Sequence, residues 1–195
     1  MIQISRVFSG ENHKGKKNYL NTQRRYELAR TLLLFGLSAS LFIAGYLGTG
    51  TRLNLLTIVA VLGCLPTSKS LVSLIMFCRY SSTPVDLAEK IDAHVGTLNC
   101  LYDLVFTSRE KIFHVEHVTV KGTTVCGYSL EKAFDEKAFE KHISQVLKAD
   151  SINNVSIKIF VDLAKYLNRL DQMQELTCDD RNSSAIMETF KSVSL

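Results

Sequence analysis

The chain predicts a membrane-anchored α+β protein: an N-terminal transmembrane helical hairpin, then a small soluble domain of one mainly antiparallel sheet with packed helices. Three observations carry this. Two apolar segments, Thr31–Leu47 and Leu53–Phe77, are separated only by a Gly/Thr-rich stretch around residues 48–52. After Arg79 the composition turns abruptly polar, and from Val85 onward apolar residues recur at helical and then at strand spacing. The organisation that follows is a basic segment 1–30, a hairpin 31–78, a linker 79–84, a domain 85–174 and a polar tail 175–195.

The bilayer core is about 30 Å thick and a helix rises about 1.5 Å per residue, so a span needs roughly 17 to 25 apolar residues. Thr31–Leu47 holds no charge and is bounded by Arg30 and by Gly48-Thr49-Gly50, which suits a short span. The second segment contains Pro66 and Lys69, and a charge at the bilayer centre is costly. The favoured reading is one kinked helix from Leu53 to Phe77 with Lys69 reaching the near headgroups, since proline is tolerated in membrane helices. The other ends the span near Pro66–Ser68 and leaves Leu71–Phe77 as an interfacial helix. The basic region before the first span is too long for a signal-peptide n-region, so a cleaved signal is not expected.

Orientation follows from Lys and Arg. Arg6, Lys14, Lys16, Lys17, Arg24, Arg25 and Arg30 precede the first span, whereas the connecting loop holds only Arg52. Both termini are therefore expected in the cytoplasm, with the chain multi-pass in the plasma membrane. Cys64, Cys78, Cys100, Cys126 and Cys178 are scattered and odd in number, as suits a reducing compartment. Residues 1–30 carry seven basic against two acidic side chains, while residues 81–195 carry 13 basic and 17 acidic. The basic segment suits an anionic leaflet, and the acidic domain argues against nucleic acid.

Lipid tails are as apolar as Leu, so membrane helices associate mainly by close packing, which small residues permit. Gly36, Ser40, Ala44 and Gly48 recur every four residues in the first span, and Ala60, Cys64 and Ser68 repeat the spacing in the second. These stripes are expected to pack the hairpin, or to meet a membrane-protein partner or a second copy of the chain.

Tyr80-Ser81-Ser82-Thr83-Pro84 is a polar connector whose Thr83 and Pro84 suit a helix cap and first position. Ala88, Ile91, Val95 and Leu98 then share a helical face. Strands are expected at Leu101–Thr107, Lys111–Val120 and Thr123–Tyr128, with a hairpin turn at Lys121-Gly122. A second helix over Asp135–Lys148 presents Ala138, Phe139, Ile143, Val146 and Leu147, a strand runs Val155–Phe160, and a third helix follows Asp162 with Leu163, Tyr166, Leu167, Leu170 and Met173 on one face. From Glu175 the polar composition predicts a loose tail with a weak helical turn at Ile186–Val193.

The densest cluster of potential ligands is His114-Val115-Glu116-His117. Strand alternation puts His114 and Glu116 on one face and His117 on the other, so the three do not readily converge on a metal. Candidate metal or ligand residues are Asp103, His114, Glu116 and His142; no catalytic set, and no cofactor, is expected. His94 and His142 border apolar faces, and Asp162 reads as an N-cap. Asp103 followed by Glu116 resembles the paired acids of restriction-endonuclease-like folds, which hold magnesium for phosphodiester cleavage. That motif places a Lys two residues after the second acid, where this chain has Val118. No glycine-rich phosphate loop or catalytic triad appears.

The stretch NLLTIVAVLGCLPTSKSLVSLIMF, with the preceding span, resembles small bacterial two-span membrane proteins carrying a cytoplasmic domain. The resemblance covers mainly residues 18–80 and implies a bacterial plasma-membrane setting and no particular activity. The leading expectation is an accessory or regulatory protein whose cytoplasmic module binds a partner or small ligand. Its rivals are a tethered metal-dependent hydrolase using Asp103, Glu116 and a histidine, and a subunit of a larger membrane complex.

Overall fold

The computed structural model describes residues 14–51, 54–176 and 181–195. Arg6, Arg52, Leu53 and Cys178 lie outside the described residues. The chain divides into two compact units, one holding residues 20–81 and the other residues 14–19 with 82–195.

In the first unit, helices α1 (Tyr19–Thr49) and α2 (Leu55–Arg79) form an antiparallel hairpin, and both are long and apolar enough to cross a membrane. The turn is set by Asn54, whose side chain accepts from Thr57 N at 2.8 Å and donates to Thr49 Oγ1 at 3.0 Å. Helix α2 continues through Pro66, as in the kinked-helix reading. The residues around it turn their hydroxyls inward: Thr67 Oγ1 donates to the Gly63 carbonyl and Ser68 Oγ to that of Leu65, both at 2.8 Å.

Thr31, Ser38 and Gly45, seven residues apart, are buried on α1, and Ala60 and Ser70 are buried on α2. A Cβ added at Gly63 would lie 2.6 Å from Ser38 Oγ, and one at Gly45 2.8 Å from Leu56 Cβ, so the backbones approach where side chains are smallest. Ser70 Oγ is 2.9 Å from Thr31 Oγ1 and donates to Glu27 Oε2 at 3.2 Å, which adds a polar clamp near one end. The expected stripe is displaced from this seam. Gly36, Ser40, Ala44 and Gly48 are exposed, as are Cys64 and Ser68, and of the seven small residues singled out only Ala60 is buried. A four-residue repeat advances about 40° per step, so it turns away from a partner within three steps. A seven-residue repeat drifts only about 20° and stays in contact.

The second unit is an α+β domain built on a four-stranded mixed sheet in the order β1 (Asn99–Thr107), β2 (Ile112–Lys121), β3 (Thr124–Tyr128), β4 (Ser156–Phe160). The first three strands make the expected antiparallel meander, with Gly122 at φ +60 in the turn that pairs Lys121 with Thr124. β4 instead runs parallel to β3, because α4 (Glu136–Ala149) between them carries the chain back to the same end of the sheet. Phe139, Ile143 and Leu147 of α4, with Ile186 and Phe190 of α6 (Arg181–Val193), cover Leu104, Phe106, Val115, Val118 and Val125 on one side. On the other side α3 (Val85–Val95) and α5 (Leu163–Gln174) supply Ile91, Val95, Tyr166, Leu170 and Met173 against Cys126 and Tyr128.

Two expectations are corrected in this unit. The tail is part of the core: Ile186 and Phe190 are fully buried, Phe190 meets Phe106 edge-on at 5.5 Å, and Leu195 N donates to the Val105 carbonyl at 2.9 Å. Burial of these two large side chains outweighs the polar residues that precede them. The domain also begins earlier, since residues 14–19 belong to it: Gly15 O accepts from Tyr102 N at 2.8 Å and Lys14 Nζ donates to the Ser194 carbonyl at 2.8 Å.

Candidate functional site

Alternation along a strand puts every second side chain on one face. Leu101 and Leu104 of β1, and Val118 and Val115 across from them on β2, all join the core under α4 and α6, yet the members of each strand's pair are three residues apart, one residue out of step with alternation. Both strands slip at the same rung. Asp103 has φ +56, the left-handed conformation that Asp tolerates better than most side chains, and Asp103 and Glu116 are the one facing pair missing from an otherwise continuous register. The slip gives β2 two consecutive polar side chains outside that core, Glu116 and His117, both buried.

Asp103 is 1% exposed and its carboxylate is fully engaged. Oδ2 accepts from Tyr19 N at 3.1 Å; Oδ1 accepts from Thr83 N and from Thr83 Oγ1, each at 2.7 Å. The Thr83 hydroxyl therefore binds Asp103 rather than capping α3, whose cap position is held by Pro84. Glu116 Oε2 accepts from Leu130 N at 2.9 Å and Oε1 lies 3.2 Å from His114 Nδ1. Burial raises the Glu116 carboxyl to about 7, with the Asp103 charge adding to the rise and the bond from Leu130 N opposing it. Burial also lowers His114, so burial favours the neutral form of both partners.

His142 stands apart. It lies on α4, on the side of the sheet covered by α4 and α6, with its ring stacked on Phe113 at 6.5 Å, beside a cleft of about 630 Å³ lined by Arg109, Lys111 and Lys141. Three of the four candidate residues are thus brought together and the fourth is separated from them by the sheet. Among the described residues no three His, Cys, Asp or Glu side chains are grouped so as to hold a metal ion. Asp162 caps α5 by accepting from Ala164 N at 3.0 Å, and the exposed His94 Nδ1 lies 2.8 Å from Asp171 Oδ1.

Sequence reasoning did not anticipate the role of His117. Its Nδ1 lies 2.5 Å from the Tyr166 hydroxyl, which is 3.2 Å from Thr119 Oγ1, and its ring packs on Tyr102 at 4.4 Å. Nε2 is buried and has no hydrogen-bond partner among the described residues. Burial, aided by the Lys17 charge, drives His117 down to about 3, so the ring is neutral at physiological pH. Beyond Tyr102 the chain of contacts ends at Asp92, which accepts the Tyr102 hydroxyl at 2.5 Å and pairs with Lys17. Alternation alone placed His117 away from His114 and Glu116; the unusual φ of Asp103 that accompanies the slip has no signature in composition.

Compared with family models, curated proteins and solved structures, the chain finds no match among any of the three.

Proposed function

We propose that this chain is a membrane-anchored accessory protein whose α+β domain binds a partner or small ligand rather than turning over a substrate. One observation supports the reading above others. The acids that would serve a hydrolase are occupied: Asp103 accepts three hydrogen bonds from Tyr19 and Thr83, and Glu116 is divided between Leu130 N and His114. Tyr19 and Thr83 flank the hairpin in sequence, so one carboxylate holds the residues at which the chain leaves the domain and returns to it. That is the work of a structural tether. The Lys and Arg distribution supports a plasma-membrane hairpin with both termini cytoplasmic, and the exposed small-residue stripe supports a membrane-protein partner or second copy as a further contact.

The test uses the full chain in detergent micelles. Metal analysis should find no stoichiometric divalent ion, and a chelator should leave the unfolding transition unchanged. A bound ion lost in Asp103→Asn together with phosphodiesterase activity would overturn the reading. A reporter fused to the carboxy terminus tests topology, and an external signal would refute the two-span arrangement.

A further inference from the structure

Helix α5 has two distinct faces. Tyr166, Leu170 and Met173 are buried in the core, whereas Lys165, Asn168, Arg169 and Gln172, at i, i+3, i+4 and i+7, form a polar stripe on another. That stripe walls a cleft of about 520 Å³ whose floor is the β3–β4 pair. The floor follows from alternation: Ile157 and Ile159 enter the core on the far side, which leaves Lys158 in the cleft, in register with Cys126. Thr124 and Ser156, also in register, add hydroxyls at one end, and Phe160 adds an apolar wall with Lys158 Nζ 5.3 Å over its ring.

The charge here runs against the domain's average. Residues 81–195 hold more acids than bases, yet this cleft is lined by three cations and no carboxylate. Among the described residues the one carboxylate paired with any of them is Asp162, 3.9 Å from the exposed Lys165. Arg169 Nη1 donates to Gln172 Oε1 at 3.2 Å, which holds the guanidinium in the stripe. The Cys126 thiol is raised by burial, with Arg169 and Lys158 opposing the rise, so the floor offers a neutral thiol and not a thiolate nucleophile.

We propose that this cleft binds a small organic phosphate. A planar guanidinium, two ammonium groups and neighbouring hydroxyl and amide donors match a tetrahedral oxyanion of two or more negative charges. The volume lies within the range of small-molecule sites and exceeds that of phosphate alone, so the organic body of the ligand would rest on Phe160. The proposal rests on the binding-module reading and names its ligand class. The same chemistry is available from a soluble phosphate ester and from a phospholipid headgroup.

The experiment titrates the full chain with inorganic pyrophosphate, in neutral-lipid nanodiscs, by isothermal calorimetry, and in parallel compares nanodiscs with and without phosphatidylglycerol by amide exchange at β4 and α5. Saturable pyrophosphate binding, weakened at least about tenfold in Lys158→Gln and in Arg169→Gln but unchanged in Lys111→Gln, is the expected result. Lys165→Gln, at an exposed position, repeats the test should either variant unfold. Protection seen only with phosphatidylglycerol, and lost in the same variants, assigns the phosphate to a headgroup. Absence of both signals, or signals indifferent to the variants, overturns the proposal and leaves the accessory reading to its metal test. Conversion of bound pyrophosphate to phosphate, abolished by the cleft variants, would keep the cleft and overturn the reading that it only binds.

Discussion

Replacing Glu116 by Gln should remove a pH dependence from the folded domain. The Glu116 carboxyl is raised to about 7, mainly by burial, from an ordinary 4.5. As pH rises through 4.5 the unfolded chain releases this proton, while the folded chain keeps it until about 7. The stability associated with the group is therefore fully present below 4.5 and is lost as the pH rises through the folded value. At about 1.4 kcal/mol per pH unit, that interval corresponds to roughly 3 kcal/mol. Gln imitates the protonated acid, since its carbonyl can accept from Leu130 N and its amide can donate to His114 Nδ1, and it does not titrate. His117 titrates in the opposite sense: lowered to about 3, it contributes stability present above its ordinary 6.5 and lost as the pH falls. The quantity to read is therefore the difference between variant and wild type, in which His117 cancels. Urea unfolding of the full chain in micelles, followed by tyrosine fluorescence in a protein without Trp, should show the variant gaining roughly 3 kcal/mol on wild type between pH 4.5 and 8. Parallel curves over that range would refute a raised Glu116.

The same assay serves the remaining substitutions in the domain. Asp103→Ala removes the acceptor for three donors and should cost about 2–5 kcal/mol, with Asp103→Gly milder by about 1 kcal/mol because glycine accepts φ +56 freely; equal costs would sink the backbone argument. Tyr166→Phe leaves His117 Nδ1 with only the 3.5 Å contact to Thr119 Oγ1 and should cost about 1–3 kcal/mol, whereas a neutral result would mean that Thr119 or water takes the place of the Tyr166 hydroxyl. Phe190→Ala should cost about 3–5 kcal/mol and raise amide exchange at Leu195 and Gly122, the sites bonded to or beside α6; slow exchange there would restore the tail to an independent segment. In the hairpin, with native cysteines replaced, Ser38→Cys with Gly63→Cys should crosslink within one chain, and Ser40→Cys with Gly63→Cys should not; the reverse pattern would relocate the seam to the four-residue stripe.

Local periodicity made most of the architecture legible. The faces of α3, α4 and α5 and all four strands follow from apolar spacing that burial later satisfies, and Asp162 was readable as a cap because the capping bond is local. Information failed where the deciding contact is distant or made by the backbone. Gly15 O and Tyr19 N bind the domain through main-chain atoms that any residue would supply, so residues 14–19 read only as basic. The helix α6 did leave a signal: Ile186, Phe190 and Val193 fall at i, i+4 and i+7, but the charged and polar residues around them suggested solvent. At the candidate site the residue types were legible and their company was not. His114 and Glu116 are two apart on one strand, whereas the Tyr166 that fixes His117 is 49 residues away.

The position of Asp103 explains why a buried carboxylate is tolerated at a cost in backbone conformation. A neutral side chain at this rung could not meet three donors at once, one of them the Thr83 N–H and another the Tyr19 N–H, which also reaches the Lys16 carbonyl at 3.2 Å. A charged acceptor makes each of those bonds stronger than its neutral counterpart, and the left-handed φ goes with the slip in alternation at this rung. The same slip places Glu116 beside that charge, which helps hold its proton, and leaves His117 facing Tyr166. Tethering of both chain junctions, the raised acid and the neutral buried histidine are therefore consequences of one distorted rung. A variant that restored strict alternation there should disturb all three together.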